Sequence, residues 1–252
     1  MPIQKQSLLV FASKSVGLAV VEYLIGRKDP IAQLIIADRK DQNLIRVARR
    51  RRLDYVIYSP QAMNRLIRHG RRYDWLINAW SPHILDNAVL RLARHRVNFH
   101  PSLLPRYRGN DQAAWTIINK DVAGVTLLEM NPKIDAAPIW AQKKVPYRFP
   151  IRGKDLHARL QKEVVALFKV TWPRLIAGKM RPKAQRGAQS FYTRRETNKS
   201  RRITMADFDH PARVIHRIMA HDFSPETTAQ LRYGRKTYQL TLTPLSRRRK
   251  KR

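Results

Sequence analysis

The chain of 252 residues has no cysteine. Disulfides, thiolate metal sites and a cysteine nucleophile are excluded, and a reducing compartment is compatible. Acidic residues are scarce: 18 Asp and Glu face 51 Lys and Arg, for a formal net charge of +33. Such a surface attracts polyanions, whether nucleic acid, anionic headgroups or nucleotide-linked small molecules. The excess is spread along the chain, however, and is dense only at Arg49–Arg52 and Arg247–Arg252. It therefore reads as a solvated surface before it reads as a dedicated nucleic-acid site. No stretch approaches the roughly 18 apolar residues of a membrane span, and the apolar Ser7–Ala12 is too short for a signal-peptide core. A soluble, cytoplasmic protein is the expectation. The eight histidines lack ligand spacing such as His-x-x-x-His, so no metal is expected. After the first apolar run stands Ser13-Lys14-Ser15-Val16-Gly17 in place of Gly-x-Gly-x-x-Gly, which argues against dinucleotide redox chemistry.

Apolar and aromatic residues make up 43% of the chain, enough for a proper core. Short apolar runs alternate with helix-like segments through the first hundred residues. Strands are expected at Ser7–Ala12, Leu34–Ala37, Tyr55–Tyr58, Trp75–Trp80 and Arg96–His100. Helices are expected at Val16–Gly26, Gln42–Leu53, Gln61–His69 and Leu85–His95. Apolar strands alternating with helices imply an α/β fold, a doubly wound, mostly parallel sheet covered on both faces. A helix at Ala114–Asn119, strands at Gly124–Met130 and Ala137–Val145, and a long helix from Gly153 to Gly178 follow. After the basic segment Lys179–Gly187 the reading is a helix at Pro211–Ala220 and a hairpin at Ala229–Leu242 turning at Gly234-Arg235. The expected organisation is a catalytic domain over residues 1–185, a small module over 186–246 and a disordered basic tail over 247–252.

Ligands of doubly wound sheets sit at the carboxyl ends of the strands. The segment Asn98-Phe99-His100-Pro101-Ser102-Leu103-Leu104-Pro105-Arg106-Tyr107-Arg108-Gly109 occupies such an end. Strand alternation puts Asn98 and His100 on one face and Phe99 on the other. An amide beside an imidazole on a proline-stiffened loop suits an oxyanion site; a polar strand end with a satisfied histidine is the plain alternative. A second segment, Gly124-Val125-Thr126 through Asn131-Pro132-Lys133-Ile134-Asp135, carries an Asp that matters only if the fold brings it to His100.

Taken together, the two segments resemble the 10-formyltetrahydrofolate-dependent formyltransferase family, over roughly residues 7–150. Asn-x-His-Pro-Ser-Leu-Leu-Pro-x-x-Arg-Gly is a specific signature. The resemblance implies a Rossmann-like core, 10-formyltetrahydrofolate as cofactor, and Asn98, His100 and Asp135 as the catalytic trio. Cofactor contacts would come from Pro82, His83, Ile84 and Leu85, from Ser102, Leu103, Leu104 and Pro105, and from Asn131, Lys133 and Ile134. Asn98 and a protonated His100 would hydrogen-bond the oxygen that gains charge as an amine attacks the formyl carbon, and Asp135 would hold the imidazolium or take the amine's proton. The chain departs from the family at Ala136-Ala137, where a small polar residue and glycine usually stand. A positive φ at Ala137 would strain it by about 1 kcal/mol or more.

The segments Asn110-Asp111-Gln112-Ala113-Ala114-Trp115 and Arg217–Pro225 look most like the nucleotide-sugar branch. That branch implies a nucleotide-linked amino sugar, destined for surface polysaccharide, as partner, and a homodimer. Arg106, Arg108, Asn110 and Asp111 are then candidate substrate contacts, with loop stabilisation an equal reading for the two arginines. A short methionyl-tRNA formyltransferase is the rival within the family. A nucleic-acid-binding protein on an inactive formyltransferase fold is the rival outside it.

Overall fold

The computed structural model describes residues 6–244; the expected basic tail lies outside them. The first eight strands are β1 (Leu8–Ala12), β2 (Ile31–Ile36), β3 (Tyr55–Ile57), β4 (Tyr73–Ala79), β5 (Ala93–His100), β6 (Arg108–Gly109), β7 (Gly124–Leu128) and β8 (Ile139–Lys144). All but β6 join one seven-stranded sheet ordered β3-β2-β1-β4-β5-β7-β8. The strands β1 to β5 run parallel, whereas β7 pairs antiparallel with both β5 and β8. The accompanying helices are α1 (Lys14–Gly26), α2 (Gln42–Arg50), α3 (Pro60–His69), α4 (Asn87–Leu90), α5 (Gln112–Ile118) and α6 (Gly153–Ile176).

Period-2 alternation divides the strands between two cores. Leu8, Val10, Ala12, Trp75, Ile77, Val97 and Phe99 join the cluster under α1, α2 and α6. Leu9, Phe11, Ile35 and Leu76 face the opposite side, with Met63 and Leu66 of α3 and Val89 and Leu90 of α4. The sheet is therefore doubly wound. In α6, Leu156, Leu160, Val164, Phe168, Thr171, Trp172 and Leu175 form a continuous buried stripe at helical spacing. Helix α3 has local punctuation: the Ser59 hydroxyl accepts from Ala62 N, Pro60 opens the first turn, and Gly70 closes it at φ 63°.

One expected helix is mostly not there. Residues 85–95 show helical apolar spacing, yet only Asn87–Leu90 is helical, capped by Asp86, and β5 already begins at Ala93. The physical reason is pairing: Tyr73 is opposite Ala93 and Trp75 opposite His95, so full backbone satisfaction of β4 requires an eight-residue β5.

Beyond α6 lie β9 (Phe191–Tyr192), α7 (Arg194–Ser200), β10 (Arg202–Ile203), α8 (Pro211–Ala220), β11 (Ala229–Tyr233) and β12 (Lys236–Leu240). The expected helix and hairpin are present. Strand β10 adds to the hairpin as a three-stranded sheet, with Ile203, Val214, Ile218 and Ala229 as a small core. Helix α7 was not anticipated, although Thr193 and Glu196 form the capping box that a Thr-x-x-Glu spacing announces.

His221 follows α8 and is buried, with Nε2 2.8 Å from the Ser200 hydroxyl. Burial, reinforced by Arg201 and Arg217, pushes its pKa from 6.5 down to about 3. The unfolded chain then binds a proton that the native one refuses. Its contribution to stability is complete above pH 6.5 and is lost as pH falls toward 3, at up to about 1.4 kcal/mol per pH unit. Denaturation curves over this range should show a shallower acid loss for His221→Gln than for the parent chain.

Candidate active site

At the end of β5 the side chains alternate as expected. Phe99 packs into the core, 5.0 Å from the Phe168 ring centroid, while Asn98 and His100 face the opposite way. They open into a cleft of about 590 Å³, within the usual range for a small-molecule site. It lies at the carboxyl ends of β1, β4 and β5, where strand order reverses between β1 and β4.

His100 is buried, and both ring nitrogens face acceptors. Nε2 is 2.9 Å from the carbonyl oxygen of Tyr107, and Nδ1 is 3.4 Å from Oδ1 of Asp135. A ring carrying both protons satisfies both neighbours. The Nδ1 contact is the longer and weaker of the two.

Asp135 itself carries the positive φ of its loop, 51°. The strain expected at Ala137 does not arise, because an Asp, which tolerates this conformation, takes the left-handed position. Ala137 is buried behind it. The other carboxylate oxygen, Oδ2, accepts from Gly109 N at 2.9 Å. Gly109 has φ 90° and sits so close to the Tyr192 carbonyl that no side chain fits. Burial would raise the Asp135 pKa; the His100 ring, the Gly109 N–H and the charge of Arg108 outweigh it and hold the carboxyl below its ordinary 3.8.

Pro82, His83, Ile84, Leu85, Asn131, Lys133 and Ile134 line the cleft, as do Asn110 and Asp111. Ile84 is 76% exposed and Ile134 47%, two apolar side chains open to solvent on the cleft's lining. The His83 ring is anchored: it stacks on Tyr58 with centroids 3.5 Å apart, and Nε2 lies 3.0 Å from the carbonyl of Ala37.

Six expected contacts do not line the cleft. Ser102, Leu103, Leu104 and Pro105 lie behind it as scaffold. The Ser102 hydroxyl donates to Arg106 O, Thr126 Oγ1 donates to Ser102 O, and the Gln142 amide donates to Leu104 O. Arg106 turns outward onto both oxygens of Asp121, at 2.6 and 2.7 Å. Arg108 is held by Gln185 and Gln189. The reason is reach: the Arg106 guanidinium meets a carboxylate and the Arg108 guanidinium two amide oxygens on their own side of the loop. Arg106→Ala should accordingly leave KM for the amine substrate within about twofold; steady-state kinetics check this.

Several residues in and beside the cleft escaped the sequence reading. Asn78, on β4, donates from Nδ2 to Oδ1 of Asn98 at 3.0 Å. Gln185 clamps the Asp135 loop, donating to the carbonyls of Asp135 and Ala137 at 2.8 Å each while accepting from Arg108. Glu129 is paired with Arg96, yet burial dominates and raises its pKa. At the other end stand Lys14, His157 and Arg194, the last donating to Asp111 at 2.7 Å. Burial, with Lys14 adding to it, lowers the His157 pKa. Only Asn78 left a trace in the sequence, as an amide interrupting the apolar run Trp75–Trp80.

A family model described as formyl transferase matches residues 5–170, well over half of the chain. The chain belongs to the formyl transferase family. Its similarity to a methionyl-tRNA formyltransferase of Listeria welshimeri is 32% identity over 144 residues, covering 56% of this chain and 45% of that one. The chain spans about half the length of the curated relatives it matches. Among solved structures, a sugar N-formyltransferase from Shewanella sp FDAARGOS_354 superposes with a TM-score of 0.81 at 17% identity, covering 97% of this chain and 100% of that one. The formyltransferase PseJ from Anoxybacillus kamchatkensis, solved with UDP-4,6-dideoxy-4-formamido-L-AltNAc and tetrahydrofolate, superposes at 0.57 and 19% identity, covering 77% and 88%. These likenesses confirm a formyltransferase fold, mostly parallel sheet and small terminal sheet included.

Proposed function

We propose that this formyl transferase family member moves a formyl group from 10-formyltetrahydrofolate to the amine of a nucleotide-linked amino sugar. The observation that carries the reading is the meeting of Asn98, His100 and Asp135, the last two 3.4 Å apart, in one cleft. The cleft's residues fit the cofactor. The exposed Ile84 and Ile134 offer an apolar seat for a flat ring, and the Asn98 Nδ2 has no partner among the described residues. When bound, 10-formyltetrahydrofolate supplies an activated formyl carbon.

The chain's own groups then do three things. Asn98 Nδ2–H and the His100 edge at Nδ1 donate hydrogen bonds to an oxygen that gains negative charge, each donor being worth about 3 kcal/mol of barrier. Asp135, kept ionised, accepts the proton that the amine gives up, directly or through a water, and that proton is returned to the nitrogen released from the formyl carbon. Gly109 N–H and Gln185 keep the Asp135 loop in register while this happens.

The acceptor end supports an anionic substrate. Lys14 supplies a cation suited to a diphosphate, Arg194 a second whose charge is shared with Asp111, and Trp80, Phe191 and Phe223 supply flat apolar surface. The sugar branch is also favoured by likeness over nearly the whole length of both chains, whereas the tRNA relative aligns over about half of each. Incubation with 10-formyltetrahydrofolate and a panel of nucleotide-linked amino sugars should add the mass of one formyl group to at least one of them. Methionyl-tRNA should stay unmodified. Formylation of methionyl-tRNA alone would move the reading to the tRNA branch, and failure on both substrates would remove it.

A further inference from the structure

Strand β4 reads Tyr73-Asp74-Trp75-Leu76-Ile77-Asn78-Ala79, and its carboxyl half is apolar except for Asn78. Trp75, Ile77 and Ala79 point into one core, so Asn78 points to the other face, which it shares with Asn98. The parallel register sets Asn78 directly opposite Asn98. Asn78 is only 6% exposed. Its Nδ2 donates to Asn98 Oδ1 at 3.0 Å, and its own Oδ1 is buried without a partner among the described residues.

An unsatisfied buried carbonyl costs about 1–3 kcal/mol. A leucine, with the same branched set of side-chain heavy atoms, would carry no such penalty, so burial gives no reason for the amide. Its donor does. A side-chain amide can present either its oxygen or its NH₂ in a given direction. With Asn78 donating, Asn98 must turn Oδ1 toward β4, and its Nδ2 is left for the cleft. Without that donor the two orientations of Asn98 become close in energy, and one of them points a carbonyl oxygen at a site where negative charge develops.

We propose that Asn78 is a positioning residue that fixes the polarity of the Asn98 amide, so that Asn98 meets the reacting oxygen with N–H rather than C=O. This rests on the formyl-transfer reading given above.

Two measurements test it. The first uses the ligand-free protein. The Asn98 side-chain NH₂ resonances, identified by their loss in Asn98→Ala, should shift or broaden in Asn78→Leu while the backbone spectrum beyond the β4–β5 end is retained. Unchanged Asn98 resonances would overturn the proposal whatever reaction the protein performs. The second is kinetic. Asn78→Leu should lower kcat about 30-fold, with KM for the formyl donor within about threefold. The double variant Asn78→Leu/Asn98→Ala should be no slower than Asn98→Ala alone, because Asn78 acts through Asn98. Retained kcat in Asn78→Leu, or multiplying losses in the double variant, would overturn it. A parent chain that transfers no formyl group, with the resonance shift observed, would sink the functional reading and leave the positioning intact.

Discussion

Replacing Asn98 or His100 by alanine should lower kcat for formyl transfer about a hundredfold or more while the protein stays folded. Asn98 sits at a strand end with part of its side chain in the cleft, and truncation removes one donor and frees the Asn78 amide, without opening the core behind Phe99. His100 is more deeply set. Its removal leaves the Tyr107 carbonyl short of a donor, so His100→Gln is the companion variant, able to donate to that oxygen while lacking a ring proton at Nδ1. Both His100 variants should lose turnover alike. Circular dichroism and thermal unfolding establish that the fold is kept, and single-turnover formyl transfer gives the rate. Near-parental rates in Asn98→Ala or His100→Gln would remove the oxyanion assignment.

The second large effect is expected at Asp135. Asp135→Asn keeps the shape, still accepts from Gly109 N–H, and tolerates φ 51°. It removes the negative charge beside His100 and the proton acceptor for the amine. Turnover should fall about 1,000-fold, with KM for the formyl donor nearly unchanged. Because interactions within the protein hold the Asp135 carboxyl below 3.8, the parent chain should show no activity loss from this group between pH 7 and pH 5. The depressed value also means that its stabilising contribution is complete above 3.8 and is lost as pH falls below it. Asp135→Ala should do worse on stability, since it strands the Gly109 N–H and puts a less tolerant residue in the left-handed conformation. An Asp135→Asn protein that retains a tenth or more of parental kcat would show that another group takes the proton.

The order of the main-sheet strands, the doubly wound class, the terminal hairpin and the shared face of Asn98 and His100 were legible in the sequence. Each depends on a local period, two for strands and 3.6 for helices, or on turn chemistry such as Gly234. The Asn-x-His-Pro signature added a family likeness and, with it, the trio. Where helical spacing and strand pairing competed, at residues 85–95, the local signal misled, because the partner strand that claims Ala93 and His95 is some twenty residues away.

The tertiary structure alone decided which side chains meet. Asp135 and His100 are separated by two strands, β6 and β7, and by helix α5, and only the antiparallel return of β7 beside β5 brings their segments together. Arg106 and Arg108 lie in the same segment as His100 yet do not line the cleft, since Asp121 holds the one and Gln185, bonded to the Asp135 loop, holds the other. Asn78 finds Asn98 through inter-strand register, and Gln185 reaches the Asp135 loop from 50 residues along the chain. Periodicity specifies the direction of a side chain relative to its own strand. The partner it meets there is set by sheet order and loop return, which no local pattern encodes.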